Sequence, residues 1–259
     1  MHMRKKKWAR PELAACSWYI EEDESFRNRW RACFAHPERP LHLEMGCGKG
    51  VSTAAMARDN ARINYVAADL NADVLGCARR NAAAACGENP ENLRLLQADI
   101  CFISHFFGPE DRPERIYISF CNPWTEHPKH AKRRLTHPRQ LMQYRSFLAE
   151  GGEIWFKTDD ETLFQDSLAY FDRCGFFPVY LTHDLHAAGF RPNYVSEHEM
   201  KFTGEGIPIK AAVFRMGPPP AAWDPTRYRL TPGVRAEILA RLDRETDLRE
   251  VGQDGPENA

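Results

Sequence analysis

From Leu41 onward, short apolar runs of strand character recur at Leu41–Met45, Asn64–Leu70, Leu93–Ala98, Arg115–Cys121, Glu153–Thr158, Phe176–Thr182 and Ile207–Met216. Segments of helical character separate the first six. Asn71 is placed to cap an Ala-rich helix that stops near Gly87. Pro138 suits a first helical turn, with Leu141, Tyr144, Phe147 and Leu148 on one face behind it. Asp159, Asp160 and Glu161 load the start of a further helix with Leu163, Phe164, Leu168 and Phe171 inward and Gly175 as its stop. Short strands alternating with helices mean βαβ units and a mainly parallel α/β sheet. The pattern predicts seven strands, mostly parallel, with helices on both faces and an antiparallel final strand supplied by the last hairpin.

The 259 residues suit one such domain with a small appendage. Hydrophobic residues make up 43% and charged residues 27%, which excludes wholesale disorder. No run approaches the ~18 apolar residues of a membrane-spanning helix. The basic start, Met1 to Trp8, has no apolar stretch behind it, so no secretory signal is expected. Eight cysteines without any Cys-x-x-Cys pair then read as free thiols in a reducing cytoplasm, with no structural metal. Residues 1–40 mix charge with aromatics (Trp8, Trp18, Tyr19, Phe26, Trp30) and show no period. Residues 41–216 carry the regular pattern. Gly217-Pro-Pro-Pro marks a boundary to an extension, 217–259, with a polar helix over Pro232–Arg249 and a disordered last ten residues. With 35 Lys+Arg against 36 Asp+Glu, the chain cannot coat nucleic acid by bulk charge, although a local basic face stays open.

The first strand runs into Glu44-Met-Gly46-Cys-Gly48-Lys-Gly50, followed by helix-compatible residues. Glycines at a strand-to-helix turn let backbone N–H groups approach a ligand closely. A dinucleotide fingerprint would place its third glycine one residue later, and a Walker loop would follow Lys49 with Ser or Thr. The acidic-x-Gly-x-Gly-x-Gly form resembles motif I of class I S-adenosylmethionine methyltransferases. Asp69 ends the second strand, where an acid accepts ribose hydroxyls, and Gln97-Ala98-Asp99 ends the third. Singly, these acids could be strand-end caps; jointly, at successive strand ends, they point to a cofactor site.

After the fourth strand comes Asn122-Pro-Trp124, and between His127 and Arg145 lie six Lys/Arg, three His and no acid. Beside a cofactor site, such a stretch is a clamp for phosphates; alone it would be a solvated basic turn. Together with Met3-Arg4 to Trp8-Ala9, Lys132-Arg-Arg-Leu-Thr-His-Pro-Arg139, Phe156-Lys-Thr-Asp159 and Ser196-Glu-His-Glu-Met-Lys-Phe202, these motifs resemble the bacterial tRNA (guanine-N7-)-methyltransferases from Met1 to about Arg215.

That resemblance implies tRNA as substrate, S-adenosylmethionine as methyl donor and S-adenosylhomocysteine as product, with no membrane or metal partner and a monomer or homodimer equally open. It assigns Glu44, Gly46, Gly48, Gly50, Asp69, Gln97, Asp99 and Asn122 to the cofactor, Asn122 also being the catalytic position. Asp159 and Ser196, Glu197, His198 and Glu199 match contacts to the target nucleotide, and Glu126, Lys129, Lys132, Arg133 and Arg134 fall in the RNA-contacting loop. The structural alternative for Asp159 is a helix cap, and for Glu199 a solvated loop acid. Two departures stand out. The family has Asp where this chain has Asn122, and Lys where it has Glu126, in a loop one residue longer; Lys129 could supply the displaced charge. Guanine N7 carries an in-plane lone pair and no proton to lose, so no general base is required and the departure is compatible with activity. Two alternatives remain: methylation of an exocyclic base amine, suggested by Asn-Pro-aromatic, and a silent module that binds cofactor and RNA. For the basic start (Arg4, Lys5, Lys6, Lys7, Arg10), an RNA contact and a disordered tail are both open readings.

Overall fold

The computed structural model describes residues 5–222, 224, 226 and 228–247. The expected disorder of the last ten residues falls outside them, as does Arg4. In chain order the elements are α1 (Ala9–Ala14), β1 (Tyr19–Glu21), β2 (Leu41–Met45), α2 (Val51–Asp59), β3 (Asn64–Asp69), α3 (Ala72–Cys86), β4 (Leu93–Gln97) and β5 (Arg115–Ser119). They continue with α4 (Pro138–Arg145), β6 (Glu153–Thr158), α5 (Glu161–Arg173), β7 (Phe176–Thr182), α6 (Glu197–Gly204), β8 (Lys210–Met216) and α7 (Pro232–Asp247).

The strands form one sheet in the order β1-β4-β3-β2-β5-β6-β8-β7. All pairings from β1 to β6 are parallel, and β8 runs antiparallel to both β6 and β7. The sheet has eight strands, one more than expected, because Tyr19–Glu21 pairs with Leu95–Gln97 at the edge. The lead segment is therefore built into the fold. Trp30 is fully buried, stacks on Phe107 at 5.0 Å and donates its indole N–H to the Phe106 carbonyl at 2.8 Å.

Period-2 alternation sends the two sides of each strand to different cores. Leu41, Leu43, Met45, Ile116, Ile118, Ile154 and Phe156 face α4, α5 and α7, while Tyr65, Ala67, Leu93 and Leu95 face α2 and α3. Asn71 caps α3, its side chain accepting the Asp73 N–H, and Asp160 caps α5 by accepting the Leu163 N–H. Residues 217–247 also join the main core through Tyr228, Ile238 and Leu242. Two glycines permit close approach: a Cβ on Gly50 would lie 2.7 Å from the Cβ of Ala78, and one on Gly76 would lie 2.6 Å from that of Ala9. The first seats α2 on α3, and the second seats α1 there. Among the described residues no helix is long and apolar enough to cross a membrane.

Candidate active site

The sheet order reverses between β2 and β5, which are hydrogen-bonded neighbours whose outgoing loops leave side by side at their carboxyl ends. That crevice is where open α/β sheets bind ligands. On the β2 side, Gly46, Gly48 and Gly50 have φ of +78°, +56° and +67°, the left-handed region that a side chain disfavours. A Cβ on Gly48 would meet nothing within 4 Å, so the loop presents an open cradle. Asp69, at the end of β3, accepts the Gly48 N–H at 3.0 Å through Oδ2 and the Asn71 N–H at 3.0 Å through Oδ1. Burial pushes its carboxyl pKa up, against those backbone hydrogen bonds. Each oxygen retains a lone pair for a ligand hydroxyl. Leu70 beside it is 57% exposed, an apolar surface at the mouth of the cradle. Asp99 caps the 3-10 turn after β4 by accepting the Cys101 N–H at 2.9 Å. These groups suit an adenosyl ligand: open glycine backbone, a carboxylate for a ribose, an apolar face for a base.

Two of the residues expected at the cofactor are buried and have partners inside the fold. Glu44 is buried and accepts hydroxyl hydrogen bonds from Ser52 and Thr53, so it braces the first turn of α2 behind the loop. Burial raises its pKa, with the Thr53 and Ser52 hydrogen bonds opposing. Gln97 is also buried, and its side-chain oxygen takes the Tyr19 hydroxyl at 2.7 Å, serving the β1–β4 seam.

On the β5 side, Phe120 and Trp124 both adopt left-handed φ, +53° and +48°, and bracket Asn122. Asn122 is exposed, and its Oδ1 accepts the Trp124 N–H at 3.0 Å, a side-chain turn that fixes the loop. The guanidinium of Arg133 lies 5.1 Å from the centroid of the Trp124 ring. Lys129, Lys132, Arg133 and Arg139 are exposed, and none joins an ion pair among the described residues. Glu126 is exposed beside them. Arg134 departs from the expected RNA-contacting role. It is 4% exposed; Nε donates to the Pro123 carbonyl at 2.6 Å and Nη1 to Asp166 at 2.6 Å, which ties the loop to α5.

Helix α6 touches both loops. Ser196 caps it, accepting the Glu199 N–H at 3.2 Å, and Glu197 pairs with Lys49 of the glycine loop at 2.8 Å. His198 stacks on Phe120 at 6.2 Å between centroids. Glu199 is neither solvated nor presented to the crevice: at 0% exposure it meets Lys157 Nζ at 2.5 Å, Asn193 Nδ2 at 2.6 Å and His186 Nε2 at 3.1 Å. Behind this cluster a cavity of ≈ 50 Å³ is lined by Glu44, Tyr117, Trp155, Lys157 and Tyr194, among others. That space admits a few waters at ~10–15 Å³ each. Asp159 is not the cap of α5, a role taken by Asp160. No hydrogen bond or ion pair engages its carboxylate among the described residues, although Lys210 donates to its backbone carbonyl at 2.9 Å.

A family model described as "Putative methyltransferase" matches residues 38–212. The tRNA (guanine-N(7)-)-methyltransferase of Clostridium botulinum (strain Eklund 17B / Type B) is 50% identical over 213 residues, covering 81% of this chain and 96% of that protein. The tRNA (guanine-N(7)-)-methyltransferase of Clostridium perfringens (strain SM101 / Type A) is 47% identical, covering 81% and 97%. The chain belongs to the tRNA (guanine-N7-)-methyltransferase family. Among solved structures, the 16S rRNA methyltransferase KamB superposes with a TM-score of 0.52 at 12% identity, covering 83% of this chain and 96% of that one. At that identity the likeness shows the shared class I methyltransferase fold.

Lys157 and Lys49 stand inside the family's motifs, but the sequence does not single them out as site residues. Lys157 sits on the carboxyl end of β6, on the face opposite buried Ile154, Phe156 and Thr158. A lysine interrupting that face at a strand end was the available signal. Its three acceptors, Asn193 Oδ1, the Tyr194 carbonyl and Glu199, lie 36–42 residues away in sequence and could not be read locally.

Proposed function

We propose that this enzyme transfers a methyl group from S-adenosylmethionine to N7 of a guanine in tRNA. The observation that carries this reading is the meeting of the open glycine cradle and the Asn122–Trp124 loop at the adjacent ends of β2 and β5. Relatives bearing that activity in their name supply the acceptor. When bound, S-adenosylmethionine provides the electrophilic methyl group. Gly46, Gly48 and Gly50 present backbone to it, and Asp69 and Asp99 stand where its adenosine would lie.

Guanine N7 supplies its own lone pair, so the protein has no proton to remove. Its work is orientation: the acceptor ring must be held in line and water kept out. Asn122 lies beside the cradle, Trp124 and His198 offer ring faces, and Asp159 offers a carboxylate to the N–H edge of a guanine. Lys129, Lys132, Arg133 and Arg139 hold the phosphates of the flanking strand.

The test is transfer of labelled methyl from S-adenosylmethionine to unmodified tRNA, followed by nucleoside analysis of the digest. N7-methylguanosine is the expected product. An N-methyl exocyclic product, or no incorporation, would refute the proposal.

A further inference from the structure

The guanidinium of Arg134 is one link in a series that leaves the region shared with relatives. Its Nε holds the Pro123 carbonyl, and its Nη1 holds Asp166 Oδ2, both at 2.6 Å. The other carboxylate oxygen, Oδ1, accepts from Arg235 Nη1 at 2.8 Å. Arg235 lies on α7, whereas the family match ends at residue 212. The C-terminal helix thus reaches the loop carrying Asn122 through three side chains.

That loop needs holding. Phe120 and Trp124 are non-glycine residues at positive φ, a conformation that side chains disfavour. Pro123, between them, has no N–H, so its carbonyl is the one backbone group by which it can be pinned. Arg134 is buried and must keep a counter-charge, and Asp166 can satisfy it only while the carboxylate keeps its orientation. Arg235 fixes that orientation by engaging the second oxygen. The helix bearing Arg235 is itself anchored by Ile238 and Leu242 in the core.

We propose that α7 is a brace for the Asn122–Trp124 loop, with Arg235 a positioning residue acting through Asp166 and Arg134. The proposal rests on the assignment of that loop to the acceptor. It gives residues beyond the family core a part in methyl transfer.

The full-length variants Arg235→Ala, Arg235→Lys and Arg241→Ala test it, each measured for kcat, for KM with tRNA and with S-adenosylmethionine, and for melting temperature. Hydrogen exchange of the amides of residues 120–134 is followed alongside. Arg235→Ala should speed exchange in that segment and lower kcat about three- to tenfold, with KM for S-adenosylmethionine within about twofold of the parent. Arg235→Lys should recover part of both effects. Arg241→Ala removes a different ion pair of α7, to Asp172 rather than Asp166, while Ile238 and Leu242 keep the helix docked, and it should keep kcat within about twofold. Unchanged exchange in Arg235→Ala, or equal losses of kcat in the two alanine variants, would overturn the brace. If Asn122→Ala has parental kcat while Arg235→Ala speeds exchange, the acceptor assignment fails and the mechanical link stands.

Discussion

Asn122 holds its loop by accepting the Trp124 N–H through its side-chain oxygen. A carboxylate of the same shape can accept that hydrogen bond, so Asn122→Asp alters charge while leaving the turn in place. The added charge would favour the cation forming on the purine, a modest gain at an exposed site. Turnover in the methyl-transfer assay should change by less than about tenfold. A jump from no activity to measurable activity would instead mark the parent as a silent module. A second residue speaks to pH. Burial and the neighbouring Arg115 push the His42 pKa down to about 3. An unfolded chain takes up that proton near pH ~6.5, so between those values only the unfolded state binds it and stability falls on acidification. Raised carboxyls at Glu44 and Asp69 work in the opposite direction, so the clean comparison is with His42→Gln. Going from pH 7 to pH 5 in urea unfolding, the parent should lose about 2 kcal/mol more than the variant. At this scale the sequence misleads where a charge is buried. Arg134 and Glu199 look like surface charges because their partners, Asp166 and Lys157, lie 32 and 42 residues away.

Elements with a period were legible. Strands β2 to β8, and helices α3, α4 and α5 with their caps, lie within a few residues of where apolar spacing puts them. Two elements were not. Strand β1 is three residues long and shows no alternation, and it exists because β4 offers an unpaired edge. Helix α6 has only one buried residue, and that residue is a glutamate. Its docking depends on the Lys157–Glu199 pair. Removing one partner of a buried pair leaves the other charge uncompensated, so Lys157→Met should cost about 3–5 kcal/mol in denaturant unfolding, with Lys157→Arg recovering part of it. For α7, Leu242→Ala removes a side chain at 2% exposure and should cost about 2–5 kcal/mol. A loss below ~0.5 kcal/mol would show that the helix is not docked as described.

Across the whole molecule, a formal charge of -1 conceals a segregated surface. Lys129, Lys132, Arg133 and Arg139 gather at the crevice without acidic partners among the described residues, while Asp69, Asp99 and Asp159 lie at strand ends around it. Affinity for tRNA should fall steeply with salt. Replacing Lys132 and Arg133 together by alanine should lower the slope of log K against log salt by about 1.4–1.8. An unchanged slope would place the RNA elsewhere. The adjacency of the glycine cradle and the Asn122–Trp124 loop, at the ends of β2 and β5, has a further consequence. Methylation of N7 takes the positive charge from the donor's sulfur and leaves it on the purine, so the site begins and ends the step with the same total charge. Mobile ions outside therefore have little to screen during the chemistry, and kcat should stay flat across a salt titration in which KM for tRNA climbs.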